Sequence, residues 1–124
     1  MSLILIVEDN EKNLKLVRDV LEVKGYATLE AGTAEDGLKI ARARLPDLIL
    51  MDIQLPGMSG IEALKALRAE PATAGIPVIA ITASVMQQDR QQIMSAGFDG
   101  FIEKPINLRS FLDTVQKAVK AGIA

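Results

Sequence analysis

Short apolar runs that alternate with stretches of helical periodicity limit the folds open to this chain. Residues 3–7, Leu-Ile-Leu-Ile-Val, are continuous and apolar, which reads as a strand buried on both faces. Residues 26–30, 47–51, 77–81 and 100–102 read as four further strands. Helical segments lie between and after them. In the last, Leu108, Phe111, Leu112, Val115 and Val119 fall on one face, as Leu14, Val17 and Leu21 do in the first. Ser59-x-x-Glu62 and Ser84-x-x-Gln87 have capping-box spacing, and Gly25 and Gly97 sit where a left-handed residue would end a helix. Five strands and five helices on short connections predict an α/β doubly wound domain, a parallel sheet covered on both faces. No repeat, linker or low-complexity segment divides the chain, so residues 1–124 read as one domain.

Composition removes several chemistries. The chain has no Cys, which excludes disulfides, thiolate metal sites and thiol catalysis. It has no His, so a Ser-His-Asp triad, an imidazole metal site and a phosphohistidine carrier are all impossible within it. The formal net charge is −2 and aromatic residues are 3%, which argues against both a basic nucleic-acid footprint and a base-stacking platform. No apolar run is long enough to span a bilayer and no secretory leader is visible, so the expected location is the cytoplasm.

The informative residues are those that follow the apolar runs. Glu8 and Asp9 follow the first, Asp52 the third and Thr82 the fourth, while Lys104 comes soon after the fifth. In a parallel sheet all strand carboxyl ends lie along one rim, so three carboxylates, a hydroxyl and an ammonium should meet there. Carboxylates a few Å apart repel by several kcal/mol at an effective dielectric of roughly 20, and they either share protons or recruit a cation. With oxygen donors alone, Mg²⁺ is the expected cation. A carboxylate can also attack phosphorus to form an acyl phosphate, with Lys104 and Thr82 as donors to its oxygens.

Taken singly, these residues have plainer readings. Glu8-Asp9 reads as a solvated loop or helix cap, Thr82 as a loop hydrogen bond, and Lys104 as a surface lysine before a Pro105 that invites a cis bond. Their coincidence at one end of the strands favours the joint reading.

The chain resembles the receiver domain of bacterial two-component response regulators. The resemblance runs from Leu3 to Asn10, through Pro46-Asp-Leu-Ile-Leu-Met-Asp-Ile-Gln-Leu-Pro-Gly-Met-Ser-Gly60 and Pro77-Val-Ile-Ala-Ile-Thr-Ala83, to Lys104-Pro105. It implies a flavodoxin-like five-stranded parallel sheet in order 2-1-3-4-5. It also implies that Asp52 is the phosphoacceptor and that Asp9, Asp52 and the backbone carbonyl of Gln54 bind Mg²⁺, with Glu8 acting through water. Thr82 would contact the phosphoryl group, Ala83 would stay small beside it, and Lys104 would form an ion pair. The family often carries Tyr at the switch position where this chain has Phe101, which puts a hydroxyl-dependent docking contact in doubt.

Lacking His, the chain is expected to take its phosphoryl group from a histidine kinase, a histidine phosphotransfer protein or a small acyl phosphate. Its expected output is contact with a downstream protein, as a monomer and not as a conventional enzyme. Three alternatives stay open at this stage. One is a receiver excised from a hybrid histidine kinase, and another an aspartyl-nucleophile phosphatase, which would need a cap and a second acid just after Asp52. The third, a flavin or nucleotide binder, lacks its Gly-rich loop after the first strand.

Overall fold

A computed structural model describes residues 2–55, 57–83 and 87–123. Strands β1 (Leu3–Val7), β2 (Ala27–Ala31), β3 (Leu48–Asp52), β4 (Val78–Thr82) and β5 (Gly100–Glu103) alternate with helices α1 (Glu11–Val23), α2 (Ala34–Arg44), α3 (Gly60–Ala69), α4 (Gln87–Ala96) and α5 (Leu108–Ile123). All four strand pairings are parallel, in the order β2-β1-β3-β4-β5.

The strand sequences explain the layers. Successive side chains point to opposite faces, so an uninterrupted apolar strand needs cover on both. Leu5 and Val7 join Leu38, Ala63, Leu64 and Ile93, from α2, α3 and α4, in one core. Ile4 and Ile6 join Val17, Leu21, Phe111 and Val115, from α1 and α5, in the other. Each fully buried Leu or Ile contributes roughly 1.5–3 kcal/mol, so the central strands hold the sheet firmly.

Local signals set the helix starts. Asn10, Thr33 and Ser59 cap α1, α2 and α3, each accepting a hydrogen bond from the backbone N–H three residues on. Gly25 and Gly97 have φ of 89° and 109°, as their places at helix ends require. Ser84, the cap of the Ser84-x-x-Gln87 box, lies outside the described residues.

The structure differs from the sequence expectation in detail. β2, β3 and β4 start and end one residue later than the apolar runs indicate, and β5 extends to Glu103. Backbone pairing continues past the last apolar side chain, so Asp52 and Thr82 end their strands instead of following them. Leu108 is exposed, because the buried stripe of α5 begins only at Phe111.

Candidate functional site

The connection from β2 to β3 carries the chain across β1, so the direction of strand addition reverses between β1 and β3 and leaves a crevice at their carboxyl ends. Register decides what faces it. Val7 pairs with Met51, which brings the next residues, Glu8 and Asp52, side by side. Asp52 pairs with Ile81 and Thr82 with Glu103, placing Thr82 and Lys104 one step further along the same rim. Glu8, Asp9 and Asp52 each offer a carboxylate oxygen within 4.8 Å of the other two.

Lys104 is the centre of the charge network. Its Nζ lies 3.0 Å from Asp52 Oδ2 and 3.2 Å from Glu8 Oε2, and it is aligned to donate to Glu8 Oε1 at 3.4 Å. The Lys104–Pro105 peptide is cis. The Lys104 backbone N–H donates to the Thr82 carbonyl at 2.8 Å, tying the β5 end to the β4 end. Burial opposes its charge, but the hydrogen bond and charge of Asp52, with Glu8 behind, outweigh this and raise the ammonium above its ordinary value.

Glu8 was readable as a solvated loop residue, yet it is 1% exposed. The cap of α1 is Asn10, whose own N–H donates to Glu8 Oε1 at 3.1 Å. Among the described residues no donor is aligned with Glu8 Oε2, although Lys104 Nζ is close by. Burial first, then the hydrogen bond and charge of Asp52, push the Glu8 carboxyl up to about 7. Asp9 is exposed.

The sign of the Glu8 effect is definite. Between its ordinary value of 4.5 and about 7 the folded protein holds the extra proton, so stability falls as pH rises through that window. Metal-free protein in EDTA should therefore lose on the order of 2 kcal/mol between about pH 5 and pH 8. Glu8→Gln should remove most of that slope in urea unfolding. Superimposable pH profiles for the two proteins would show that Glu8 is not the group responsible.

The other predicted residues fall around this centre. Asp52 is 3% and Thr82 2% exposed, whereas Ala83 is exposed beside it. The Gln54 N–H donates to Asp52 Oδ1 at 2.9 Å, turning the loop after β3 back over the carboxylate. Phe101 is half-buried, pairs with Ala80, and packs against the α2-α3-α4 core.

Gly60 was missed by sequence reasoning. A Cβ there would sit 2.5 Å from the Asp52 carbonyl oxygen and 2.8 Å from Ile53 Cα, and the Gly60 N–H donates to Ile53 O at 3.1 Å. Its signal is a poor helix former directly after the Ser59 cap.

The chain has relatives among known proteins in both sequence and structure. A family model for the response regulator receiver domain matches residues 4–116. The chain belongs to that family. This receiver is 45% identical over 113 residues to the polar-differentiation response regulator DivK of Brucella ovis, covering 91% of this chain and 92% of the relative. Among solved structures it resembles the receiver domain of sensor histidine kinase PA1611 from Pseudomonas aeruginosa PAO1, which has a magnesium ion coordinated in its active-site cleft. The two share 29% identity and a TM-score of 0.89, over 96% of this chain and 98% of that one. Chemotaxis protein CheY4 of Vibrio cholerae gives 27% identity and a TM-score of 0.89, over 95% and 98%. The receiver acts in two-component signal transduction, in a family of signalling switches. None of its described helices is long and apolar enough to cross a membrane.

Proposed function

We propose that this receiver is switched by transfer of a phosphoryl group to Asp52 from a phosphohistidine on a histidine kinase or histidine phosphotransfer protein. The observation that carries the reading is a buried Asp52 carboxylate 3.0 Å from Lys104 Nζ, with two more carboxylates beside it at the switch point. An Asp52 oxygen forms a bond to phosphorus while the bond from phosphorus to the donor nitrogen breaks, and the imidazole leaves. Lys104 holds one side of the new group by charge, and the Thr82 hydroxyl donates to another of its oxygens. Ala83, lacking a bulky side chain, leaves room beside them.

Asp9, Asp52 and the Gln54 carbonyl are the residues that would hold Mg²⁺, with Glu8 acting through water. The fit rests on an all-oxygen donor set and on Glu8 Oε2, a buried oxygen with no aligned donor among the described residues. When bound, the ion neutralises phosphoryl oxygens as charge moves during transfer. Residues 1–124 act as one domain, monomeric and cytoplasmic, whose output is contact with a downstream protein. It has no nucleic-acid or membrane target, and it is a phosphoacceptor switch in place of a conventional enzyme. A receiver carried on a hybrid kinase would use the same chemistry.

Incubation with acetyl phosphate should add one phosphoryl group, only when Mg²⁺ is present, on the peptide that contains Asp52. Peptide mapping that places the group elsewhere would reject the assignment. The added charge of about −1.5 to −2 draws Thr82 and Lys104 inward, and the space left behind Thr82 admits Phe101, which repacks α4 against β5. Amide exchange across residues 83–103 should differ between the two states, and the same rates in both would exclude this route.

A further inference from the structure

The two ends of α4 differ in composition, and the second is firmly held. Between Gln87 and Gln92 the sequence has no apolar residue, whereas Ile93 and Phe98 are both 3% exposed and Ala96 packs against the same core. The second end is also strapped to α3. Arg68, in the last turn of α3, donates from Nη1 to the carbonyls of Ala74 and Ile76 at 3.0 and 2.6 Å. From Nη2 it reaches the Gly97 carbonyl at 3.3 Å and Asp99 Oδ2 at 2.9 Å. The same Asp99 oxygen accepts from the Val78 N–H at 2.8 Å, and the Asp99 N–H returns to Val78 O at 2.9 Å.

We propose that Arg68 and Asp99 make the carboxyl end of α4 a fixed pivot, so that the helix opens from its residue-87 end. A lone surface ion pair would carry little of this, because solvent screens it. The guanidinium does more. Its planar fork satisfies three carbonyls from two loops at once, among them Gly97 just past the end of α4, where the helix dipole is negative. A ten-residue helix is about 15 Å long, so a small rotation at residue 97 becomes a displacement of several Å at the other end. That end follows the Thr82-Ala83 rim in the chain, where a phosphoryl group would act. As a switch element the pivot therefore rests on the function proposed above, but as an anchor it does not.

Native-state amide exchange tests both parts. In unphosphorylated protein, Arg68→Ala should speed exchange at residues 94–99 by about tenfold or more relative to the amides of β1 and β3, with little change at 91 and 92. Referring the rates to β1 and β3 removes any general loss of stability, and Asp99→Asn, a milder change, should give a smaller effect at the same positions. Unchanged relative rates at 94–99 in both variants would overturn the pivot. After acetyl phosphate and Mg²⁺ treatment, the wild-type change should be largest in 87–92 and smallest at 97–99, and the reverse distribution would overturn it too. If no adduct forms, the phosphoacceptor reading falls, while the Arg68→Ala result still decides the anchor.

Discussion

Asp52→Asn should yield a folded protein that takes up no phosphoryl group from acetyl phosphate at any Mg²⁺ concentration. The side-chain amide matches the carboxylate in shape, and its carbonyl oxygen can still accept from the Gln54 N–H, which now reaches Asp52 Oδ1 at 2.9 Å. What it lacks is an anionic oxygen able to displace acetate from phosphorus. The stability change should be small, because two effects oppose each other. The substitution removes the ion pair with Lys104 at 3.0 Å, and it also relieves the repulsion that helps to raise the Glu8 carboxyl. A net change within about 1–2 kcal/mol is expected. Intact-mass measurement decides the main point, since an adduct that forms as fast as in the wild type would remove Asp52 from its proposed role.

Gly60→Ala should have the second-largest effect, against what helix propensity alone would give. In an unconstrained helix Ala is better than Gly by about 1 kcal/mol. Here the new Cβ would meet the Asp52 carbonyl oxygen at 2.5 Å and Ile53 Cα at 2.8 Å, and backbone atoms cannot rotate away. Relief requires α3 to retreat or the end of β3 to shift, a cost typical of overpacking at about 1–3 kcal/mol. A net destabilisation of about 1–2 kcal/mol is expected, together with roughly tenfold weaker Mg²⁺ binding by calorimetry, as the Asp52 carboxylate and Gln54 carbonyl are displaced together.

Gly37→Ala is the control for this second substitution. Its Cβ would press on Val7 Cγ2 at 2.8 Å, in the α2 core and not on the loop after β3. It should lower stability while leaving the metal affinity close to that of the wild type. Equal affinities for all three proteins would show that the approach of α3 does not position the site.

Much of this was readable because burial on two faces leaves a simple mark. A chain can hide both faces of a strand only by making it apolar throughout, so Leu3-Ile-Leu-Ile-Val7 announces a central parallel strand before any pairing is known. The start of α3 was legible for a similar reason. Ser59 capping α3 is a bond made within one turn of chain. Strand ends were less so. A ladder stops where the partner strand stops, which is why Asp52 and Thr82 belong to strands whose apolar runs end one residue earlier.

The contents of the rim were legible, but its electrostatics were not. Polar residues after successive strands had to gather at one edge, which named Glu8, Asp9, Asp52, Thr82 and Lys104. That adjacent acids differ, Glu8 buried and Asp9 exposed, depends on the register of β1 against β3 and on the direction in which the chain leaves for α1. Arg68 left no mark at all, since three of its acceptors are carbonyls, which every residue has, and the fourth, Asp99, lies far along the chain.

By itself the order of residues determined the elements, the parallel class of the sheet and the list of groups able to do chemistry, because each follows from periodicity or from what side chains contain. The tertiary structure alone decided which of those groups share a few ångströms, which of them lose water, and where backbone meets backbone too closely for any residue but Gly. Those are properties of distance between segments far apart in the chain, and no local pattern encodes them.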